Sequence, residues 1–260
     1  MQLKGRKGVK YRLLPLVQLG FRVAGRRWND FYTWLIDYQE RNTDIEDLIS
    51  RYQRDTSAAP VREKGLYDIS LGENYVTFLR ELGLKPSDDF LDFGCGYGRM
   101  TIPLLRFLET GRYVGVDLSA ERIRLARDFV ARENLDMSRP TFHVATRDNR
   151  FDYLKGRKFD VIWARAVLGH MPLKETRECL VGLRELLKPG GVFIGDYDVN
   201  EESDTGIGRT NVKTFRVGRA KMRDLIEEIG FVYDEIPDWE ERLSLQERRS
   251  YICMMRLKLA

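Results

Sequence analysis

The stretch Phe90-Leu91-Asp92-Phe93-Gly94-Cys95-Gly96-Tyr97-Gly98-Arg99-Met100 decides the fold of this 260-residue chain. It predicts a short apolar strand that carries an acid, then a loop with glycine at every second position, then the start of a helix. Glycine lacks a Cβ atom, so the loop can turn tightly at positive φ and let a small molecule approach its backbone. The stretch predicts a nucleotide-binding turn, and a tight turn without a ligand is the alternative.

A second apolar strand, Tyr113–Asp117, ends in an acid 19 residues after Gly98. In doubly wound sheets a carboxylate at this place accepts hydrogen bonds from the ribose hydroxyls of a nucleoside. Asp117 is therefore the candidate ribose ligand, and the two elements together favour a nucleoside site over an empty turn.

The spacing of the glycines separates two cofactor classes. Dinucleotide sites prefer G-x-G-x-x-G, and position 99 is Arg, so that template fails. Instead, Asp92-x-Gly94-x-Gly96-x-Gly98 resembles motif I of the S-adenosylmethionine-dependent methyltransferases of the Rossmann-like class. The cofactor of that family is cationic and has no phosphate. Asp92 would attract its ammonium and sulfonium charges.

Two later stretches extend the resemblance to about residues 88–196. Val167–Pro172 resembles the V-L-x-H-x-P stretch of small-molecule methyltransferases, and Leu187–Gly191 resembles the turn before the fifth strand of that family. The resemblance implies an α/β fold with a doubly wound, seven-stranded, mainly parallel sheet, whose last strand is antiparallel, and an N-terminal helical extension. The remaining elements predicted around these motifs are helices at Ile45–Arg54, 67–84, 100–108, 119–134 and 214–230, and strands at 141–145, 159–164, 192–196, 231–236 and 251–257.

The resemblance also implies a set of cofactor-binding residues. Asp148 and Asn149 follow the third strand, where family members place a polar side chain near the adenine amino group. The usual Gly-Asp pair reads Arg147-Asp148 here, so a solvated loop carboxylate is the alternative. The full cofactor-binding set is Asp92, Gly94, Cys95, Gly96, Gly98, Asp117, Leu118, Asp148, Asn149 and Ala164.

Composition indicates a water-soluble protein, with 43% hydrophobic and 32% charged residues. The three cysteines, Cys95, Cys179 and Cys253, are far apart and form no grouping with His143 or His170 that suits a metal. The sequence therefore predicts a reducing, cytoplasmic location and no metal site. It contains no apolar run of the length that spans a bilayer.

The N-terminal segment is basic, because residues 1–28 hold eight Lys or Arg and no acid. Apolar residues recur at steps of three and four from Leu14 to Leu35, which predicts a basic amphipathic helix. Such a helix suits peripheral contact with an anionic inner membrane face through residues 1–40. Packing on the catalytic domain, or on a second subunit in a homodimer, is the alternative, and nucleic acid is a weaker candidate partner.

The polar break that ends at Pro60 marks a domain boundary. It divides the chain into a basic, amphipathic helical extension, residues 1–60, and an S-adenosylmethionine-binding methyltransferase domain, residues 61–260. Tyr67 is a further candidate for the wall of the cofactor pocket, with a packed surface tyrosine as the alternative.

The acceptor side is less defined by sequence. His170 follows the fourth strand, where doubly wound sheets bind ligands, and its imidazole could act as a catalytic base. A histidine that only orders its loop is the alternative. Asp196, Tyr197 and Asp198, at the mouth of the fifth strand, are further candidates on the acceptor side, and capping of the loop of that strand is the alternative. The polar segment Asn200–Lys213 is either a cover over the acceptor or a solvated loop.

Several acceptor classes lack their motifs here. The chain has no Asn/Asp-Pro-Pro-Tyr segment, no Pro-Cys nucleophile and no recognisable acidic cluster for a catechol-bound metal. The sequence therefore predicts transfer of a methyl group from S-adenosylmethionine to an O or N atom of a small-molecule, lipid-linked or glycan acceptor. A non-catalytic methyltransferase-like scaffold and an NAD-dependent oxidoreductase are the alternatives.

Overall fold

The computed structural model describes residues 45–58, 69–136, 138–146, 151–201, 204, 207–211, 214–243 and 251–260. The predicted basic helix and membrane contact of residues 1–40, the domain boundary at Pro60 and the candidate Tyr67 lie outside this part of the chain. Within it, no helix is both long and apolar enough to cross a membrane.

The described residues form a mixed sheet of nine strands that all belong to one hydrogen-bonded network. Five strands run parallel in the spatial order β3-β2-β1-β4-β5, and β9 lies antiparallel between β5 and β8. The strands are β1 Phe90–Phe93, β2 Tyr113–Asp117, β3 Pro140–Val144, β4 Phe159–Ala164, β5 Leu187–Val199, β6 Ile207–Asn211, β7 Thr214–Val217, β8 Phe231–Glu235 and β9 Ile252–Leu259.

An α-helix lies between β1 and β2, between β2 and β3 and between β4 and β5, as is usual for crossovers between parallel strands, and a 3₁₀ turn lies between β3 and β4. The helix after β2 is capped by Ser119, whose Oγ accepts a hydrogen bond from the amide of Arg122 at 3.3 Å. The helices are α1 Ile45–Ala58, α2 Ser70–Glu81, α3 Thr101–Phe107, α4 Ala120–Arg132, α5 Leu173–Glu185, α6 Arg219–Glu228 and α7 Trp239–Arg242, with 3₁₀ turns at Asp152–Leu154 and Leu168–His170.

Apolar side chains cover both faces of the sheet, as expected for parallel strands that read as continuous hydrophobic runs. One core cluster contains Trp163 and Ile194, and packs under α2, α3 and α4. The other contains Ile162 and Phe193, and packs under α5 and α6. The alternation along β4 and β5 places neighbouring residues on opposite faces.

The predicted fold class is confirmed, and the seven predicted strands are all present. Two further strands, β6 and β7, were not predicted. They form an antiparallel hairpin within and just after the polar segment 200–213. The helix predicted over 214–230 is shorter, because Thr214–Val217 extends as β7 and α6 begins only at Arg219. The bulky β-branched and aromatic residues of this stretch favour a strand.

The long strand β5 joins the two halves of the sheet. It pairs with β4 as far as Gly195, opposite Ala164 at the end of β4. Beyond that point Asp198 and Val199 pair with β7, so β7 continues the sheet where β4 has stopped. The hairpin of β6 and β7 therefore lies at the carboxyl edge of the parallel strands, beside the 3₁₀ turn after β4.

Candidate active site

The glycine loop after β1 adopts the geometry that its sequence predicts. Gly94, Gly96 and Gly98 have φ values of +87°, +57° and +83°, which L-residues rarely adopt. The amides of Gly94 and Cys95 both donate to the carbonyl of Val116, at 2.7 and 2.9 Å, and the amide of Gly98 donates to Cys95. These bonds fix the loop onto β2.

The three glycines differ in what surrounds them. A Cβ on Gly94 would lie 2.3 Å from Cγ2 of Val167, and one on Gly98 would lie 3.0 Å from Cβ of Ala126 on α4. A Cβ on Gly96 would meet only Arg122, at 3.4 Å. Gly94 and Gly98 therefore permit close packing, whereas Gly96 leaves the more open surface for a ligand.

Asp92 lies beneath this loop and is almost fully buried, with 4% of its surface exposed. Its Oδ2 accepts a hydrogen bond from the hydroxyl of Tyr113 at 2.9 Å, and that hydroxyl in turn accepts one from Thr101 at 2.8 Å. Burial raises the pKa of Asp92 to about 7, and repulsion from Asp117 adds to the rise. Among the described residues, none supplies a cation that compensates the negative charge of Asp92.

Asp117, at the end of β2, is the second buried acid of the site. Its Oδ2 accepts from the amide of Gly96 at 3.0 Å, and its Oδ1 accepts from the amide of Ser119 at 2.8 Å. Burial raises its pKa, and these amides and Arg122 oppose the rise. The carboxylate is thus held in a fixed orientation at the carboxyl edge of the sheet, as a ribose ligand requires.

These two acids decide which class of nucleotide fits. A pyrophosphate would place two negative charges near the buried Asp92, where water cannot screen the repulsion. A nucleoside that carries an ammonium and a sulfonium would instead supply the missing positive charge. The residues present therefore fit S-adenosylmethionine, because the fixed carboxylate of Asp117 suits hydroxyl donors such as those of a ribose and the buried carboxylate of Asp92 suits a cation.

Helix α1 contributes contacts that sequence reasoning missed. The hydroxyl of Tyr52 lies 3.3 and 3.4 Å from the two carboxylate oxygens of Asp117, and Nε2 of Gln53 donates to the carbonyl of Leu118 at 3.0 Å. The helix itself was predicted, over Ile45–Arg54. Its position on the nucleoside site was not, because no local pattern links residues 65 positions apart.

The other residues implied by the resemblance have different placements. Cys95 is buried within the loop, and burial raises the pKa of its thiol, so the thiol stays protonated. Leu118 is half-buried beside Asp117. Ala164 ends β4 at the correct edge, but its methyl group is fully buried in the core. Asp148 and Asn149 lie outside the described residues.

On the acceptor side, Asp196 is committed to an ion pair. Its Oδ2 contacts a guanidinium nitrogen of Arg165, and its Oδ1 accepts from the amide of Ala166 at 2.6 Å. The guanidinium also lies 5.1 Å from the ring centre of Trp239. Asp196 thus anchors the loop after β4, in which Ala166 has a φ of +55°. Sequence reasoning named Asp196 but not its partner.

The other acceptor-side candidates, Tyr197, Asp198 and His170, lie in different surroundings. Tyr197 is buried, and its hydroxyl lies 3.4 Å from that of Tyr233 within the opposite core cluster. Asp198 is half-buried, and its carboxyl group lies where a Cβ on Gly169 would be 3.2 Å away. His170 is exposed at the end of the same 3₁₀ turn, and its charge would attract both Asp196 and Asp198. The structure therefore brings His170 and Asp198 together at one mouth, without Tyr197.

A cavity of about 300 Å³ lies at the other end of the parallel strands, lined in part by Lys85, Asp88 and Asp160. Beside it, Asp89 and Asp160 pair with Lys188. None of the predicted site residues lines this cavity. In the described part of the chain, no group of three or more potential metal ligands was found either.

Comparison with known proteins also indicates a methyltransferase domain. A family model described as a methyltransferase domain matches residues 91–193. A probable methyltransferase of Aspergillus luteorubrus is 29% identical over 113 residues, which are 42% of this chain and 40% of that protein. The sterol 24-C-methyltransferase of Schizosaccharomyces pombe is 26% identical over 187 residues, which are 69% of this chain and 44% of that protein. The chain thus spans less than half the length of these curated relatives.

Solved structures share the fold at low sequence identity. A glycopeptide N-methyltransferase complexed with S-adenosyl-L-methionine matches with a TM-score of 0.56 and 15% identity, over 73% of this chain and 94% of that one. A [4+2]-cyclase matches with a TM-score of 0.55 and 17% identity, over 72% of this chain and 81% of that one. The motifs, the buried acids and the matched family model together identify residues 91–193 as a methyltransferase domain that is similar to those of the Rossmann-like, S-adenosylmethionine-dependent class.

Proposed function

We propose that this chain transfers the methyl group of S-adenosylmethionine to an O or N atom of a small-molecule, lipid-linked or glycan acceptor. The observation that carries this proposal is the pair of buried acids, Asp92 and Asp117, that meet at a glycine loop with pKa values raised above those of ordinary carboxyl groups. A cationic nucleoside offers hydroxyl donors to Asp117 and positive charge to Asp92, whereas the pyrophosphate of a dinucleotide would repel Asp92.

When bound, S-adenosylmethionine supplies an electrophilic methyl group on a positively charged sulfur. The chain has to hold an acceptor atom in line with that group and keep water away. Asp117, fixed by the amides of Gly96 and Ser119, orients the ribose. Asp92, steadied by the hydroxyl of Tyr113, attracts the cationic end.

The acceptor would enter at the mouth between the loop after β4 and strand β7. The ion pair of Arg165 and Asp196 fixes one wall of this mouth, since both side chains are largely buried. His170 and Asp198 lie at the opening, where either side chain could take a proton from an acceptor hydroxyl or ammonium. Asp198 is suited to this because burial, and then Asp196, raise its pKa.

The acceptor class rests on the relatives and on the motifs that are missing. The names of the matched proteins include a sterol methyltransferase and a glycopeptide N-methyltransferase, so related domains serve lipid-like and glycan-bearing molecules. The name of the sterol relative specifies carbon as the methylated atom. A product of this chain that is methylated on carbon would therefore contradict an O or N acceptor. Peripheral membrane contact through residues 1–40 would suit a lipid-linked acceptor.

Two measurements test the proposed function. Calorimetric titration should show binding of S-adenosylhomocysteine and no binding of NAD, because NAD brings a pyrophosphate to Asp92. Incubation with methyl-labelled S-adenosylmethionine and fractionated cell extract should then move label into a small-molecule or lipid fraction. Binding of NAD alone would contradict the cofactor assignment, and label in protein or RNA would contradict the acceptor class.

A non-catalytic binding scaffold is the second candidate function. The structural match to a [4+2]-cyclase supports the part of this candidate that concerns the reaction, because the same fold occurs in a protein that is not named for methyl transfer. Binding of S-adenosylhomocysteine without labelled product in any fraction would support the scaffold.

For the membrane contact, liposome co-sedimentation of the full chain should exceed that of a version that starts near Asp44.

A further inference from the structure

The contact between α1 and the ribose acid carries an inference about how the cofactor site is controlled. It rests on the proposed function, because it concerns the same nucleoside site. A carboxylate offers about four lone-pair positions, two on each oxygen. The amide of Ser119 uses one on Oδ1 of Asp117, and the amide of Gly96 uses one on Oδ2. One position on each oxygen remains.

The hydroxyl of Tyr52 occupies the space in front of both remaining positions. It lies 3.3 Å from Oδ1 and 3.4 Å from Oδ2, so its one proton is shared between the two oxygens. A bound ribose would present its 2′ and 3′ hydroxyls to the same two oxygens. Tyr52 and the ribose therefore need the same acceptors.

Two further contacts keep Tyr52 in this place. The guanidinium carbon of Arg122 lies 5.3 Å from the centre of the Tyr52 ring, within the range of a cation–π contact. The side chain of Gln53 holds the carbonyl of Leu118, the residue after the ribose acid. Burial and the negative charge of Asp117 raise the pKa of Tyr52, so its hydroxyl remains a donor at physiological pH.

We propose that Tyr52 is an internal competitor of the cofactor, whose hydroxyl fills the ribose acceptors of Asp117 in the empty site and must leave when the nucleoside binds. The Tyr52 hydroxyl thus lowers the affinity for S-adenosylmethionine and for S-adenosylhomocysteine. It also satisfies a buried carboxylate that would otherwise face the empty pocket.

The test is calorimetric titration of the full chain and of Tyr52→Phe with S-adenosylhomocysteine. Phenylalanine keeps the ring and its stacking on Arg122, and removes only the hydroxyl. Because the lost hydrogen bond is long and shared, we expect binding to tighten about threefold to tenfold. The 2′,3′-dideoxy analogue of S-adenosylhomocysteine does not need these acceptors, so its affinity should change by less than about twofold.

Gln53→Met is the matched control, because it loosens the same helix without removing a donor from Asp117. Its gain in affinity should be smaller than that of Tyr52→Phe. An equal gain in the control, an equal gain with the dideoxy analogue, or weaker binding by Tyr52→Phe would overturn the role of the hydroxyl. Thermal unfolding of each variant verifies that the fold is intact.

Asp117→Ala separates this inference from the proposed function. If S-adenosylhomocysteine binds the parent and Asp117→Ala weakens it more than about tenfold, but Tyr52→Phe gives no gain, only the competitor role fails. If neither the parent nor Tyr52→Phe binds S-adenosylhomocysteine, the proposed function and this inference fail together.

Discussion

The hydroxyl of Tyr113 donates a hydrogen bond to the buried carboxylate of Asp92 at 2.9 Å, directly beneath the glycine loop. This bond favours the ionised form of Asp92, and burial opposes it more strongly, so the pKa of Asp92 is raised to about 7. The charge of this site therefore changes within the physiological pH range, and binding of a cation should change with it.

We expect the affinity for S-adenosylmethionine to fall about tenfold when the pH is lowered from 8 to 6, because the ionised fraction of Asp92 falls by that factor across a pKa of about 7. Asp92→Asn should bind weakly and show no such dependence. Asp89→Asn is the control, because Arg112 keeps the pKa of Asp89 low and its charge constant. Titration calorimetry at each pH measures the affinity. If the affinity of Asp92→Asn depends on pH as strongly as that of the parent, Asp92 is not the group responsible.

The same acid should affect the stability of the cofactor-free protein. The pKa of folded Asp92 lies above its ordinary value of 3.8, so the folded state binds the proton more tightly and this contribution is lost as the pH rises from about 4 through about 7. Asp92→Asn removes this pH-dependent loss of stability. Its thermal midpoint, relative to that of the parent, should therefore be higher at pH 8 than at pH 4.5, and an equal difference at both values would refute this.

Gly94→Ala should destabilise the protein by about 3 kcal/mol, from about 1–2 kcal/mol of backbone strain and a further cost of overpacking against Val167. The control is Gly156→Ala, because Gly156 has a φ of +76° and no atom within 4 Å of an added Cβ. It should lose only the backbone part. Urea unfolding of both variants measures the difference, and equal losses would show that Val167 moves aside.

Removal of Arg165 should leave Asp196 as a buried charge without its main partner. Both side chains are largely buried, at 15% and 3% exposure, so Arg165→Met should cost about 3–5 kcal/mol of unfolding free energy. The double variant Arg165→Met with Asp196→Leu should recover much of that loss. Arg124→Met, which breaks exposed pairs with Glu121 and Asp128, should cost much less than Arg165→Met, because water screens exposed charges. Denaturant titration compares these variants.

If His170 takes the proton of the acceptor, His170→Gln should lower kcat by about 100-fold or more. Its affinity for S-adenosylhomocysteine should not change, because His170 is not among the residues proposed to hold the cofactor. Single-turnover kinetics with the identified acceptor measure the chemical step. Turnover within a few-fold of the parent would assign His170 to the ordering of its loop and leave Asp198 as the candidate base.

The sequence was sufficient to predict the strand, the glycine loop and the second strand at residues 90–117, because the signals for them are local. The glycine loop, Asp92 and the strand that ends in Asp117 lie within 28 residues, and each residue type is needed for a backbone or charge reason. The contact of Tyr52 with Asp117 joins residues 65 positions apart, and the ion pair of Arg165 with Asp196 joins residues 31 apart. Such contacts depend on how the helices and strands assemble, and the periodicity of the sequence does not predict that assembly.

The hairpin of β6 and β7 shows the same limit in a strand. Strand β6 lies in the polar segment Asn200–Lys213, for which the sequence predicted a cover or a solvated loop, and β7 lies at the start of the predicted helix 214–230. The pairing of β7 with β5 involves Asp198 and Val199. A short strand gains its stability from the partner strand more than from its own composition, so these two strands could be recognised only in the tertiary fold.

The ion pair of Arg165 and Asp196, with Trp239 stacked on it, has a consequence for how the domain can diversify. The glycine loop, Asp92 and Asp117 come from one continuous stretch, whereas the wall formed by Arg165, Asp196 and Trp239 is assembled from three segments that are far apart in the chain. The match to the family model ends at residue 193, three positions before Asp196. In the proposed function, a substitution in any one of these three segments would reshape the acceptor mouth without changing the residues that hold the methyl donor. Relatives with the same donor stretch could then act on different acceptors.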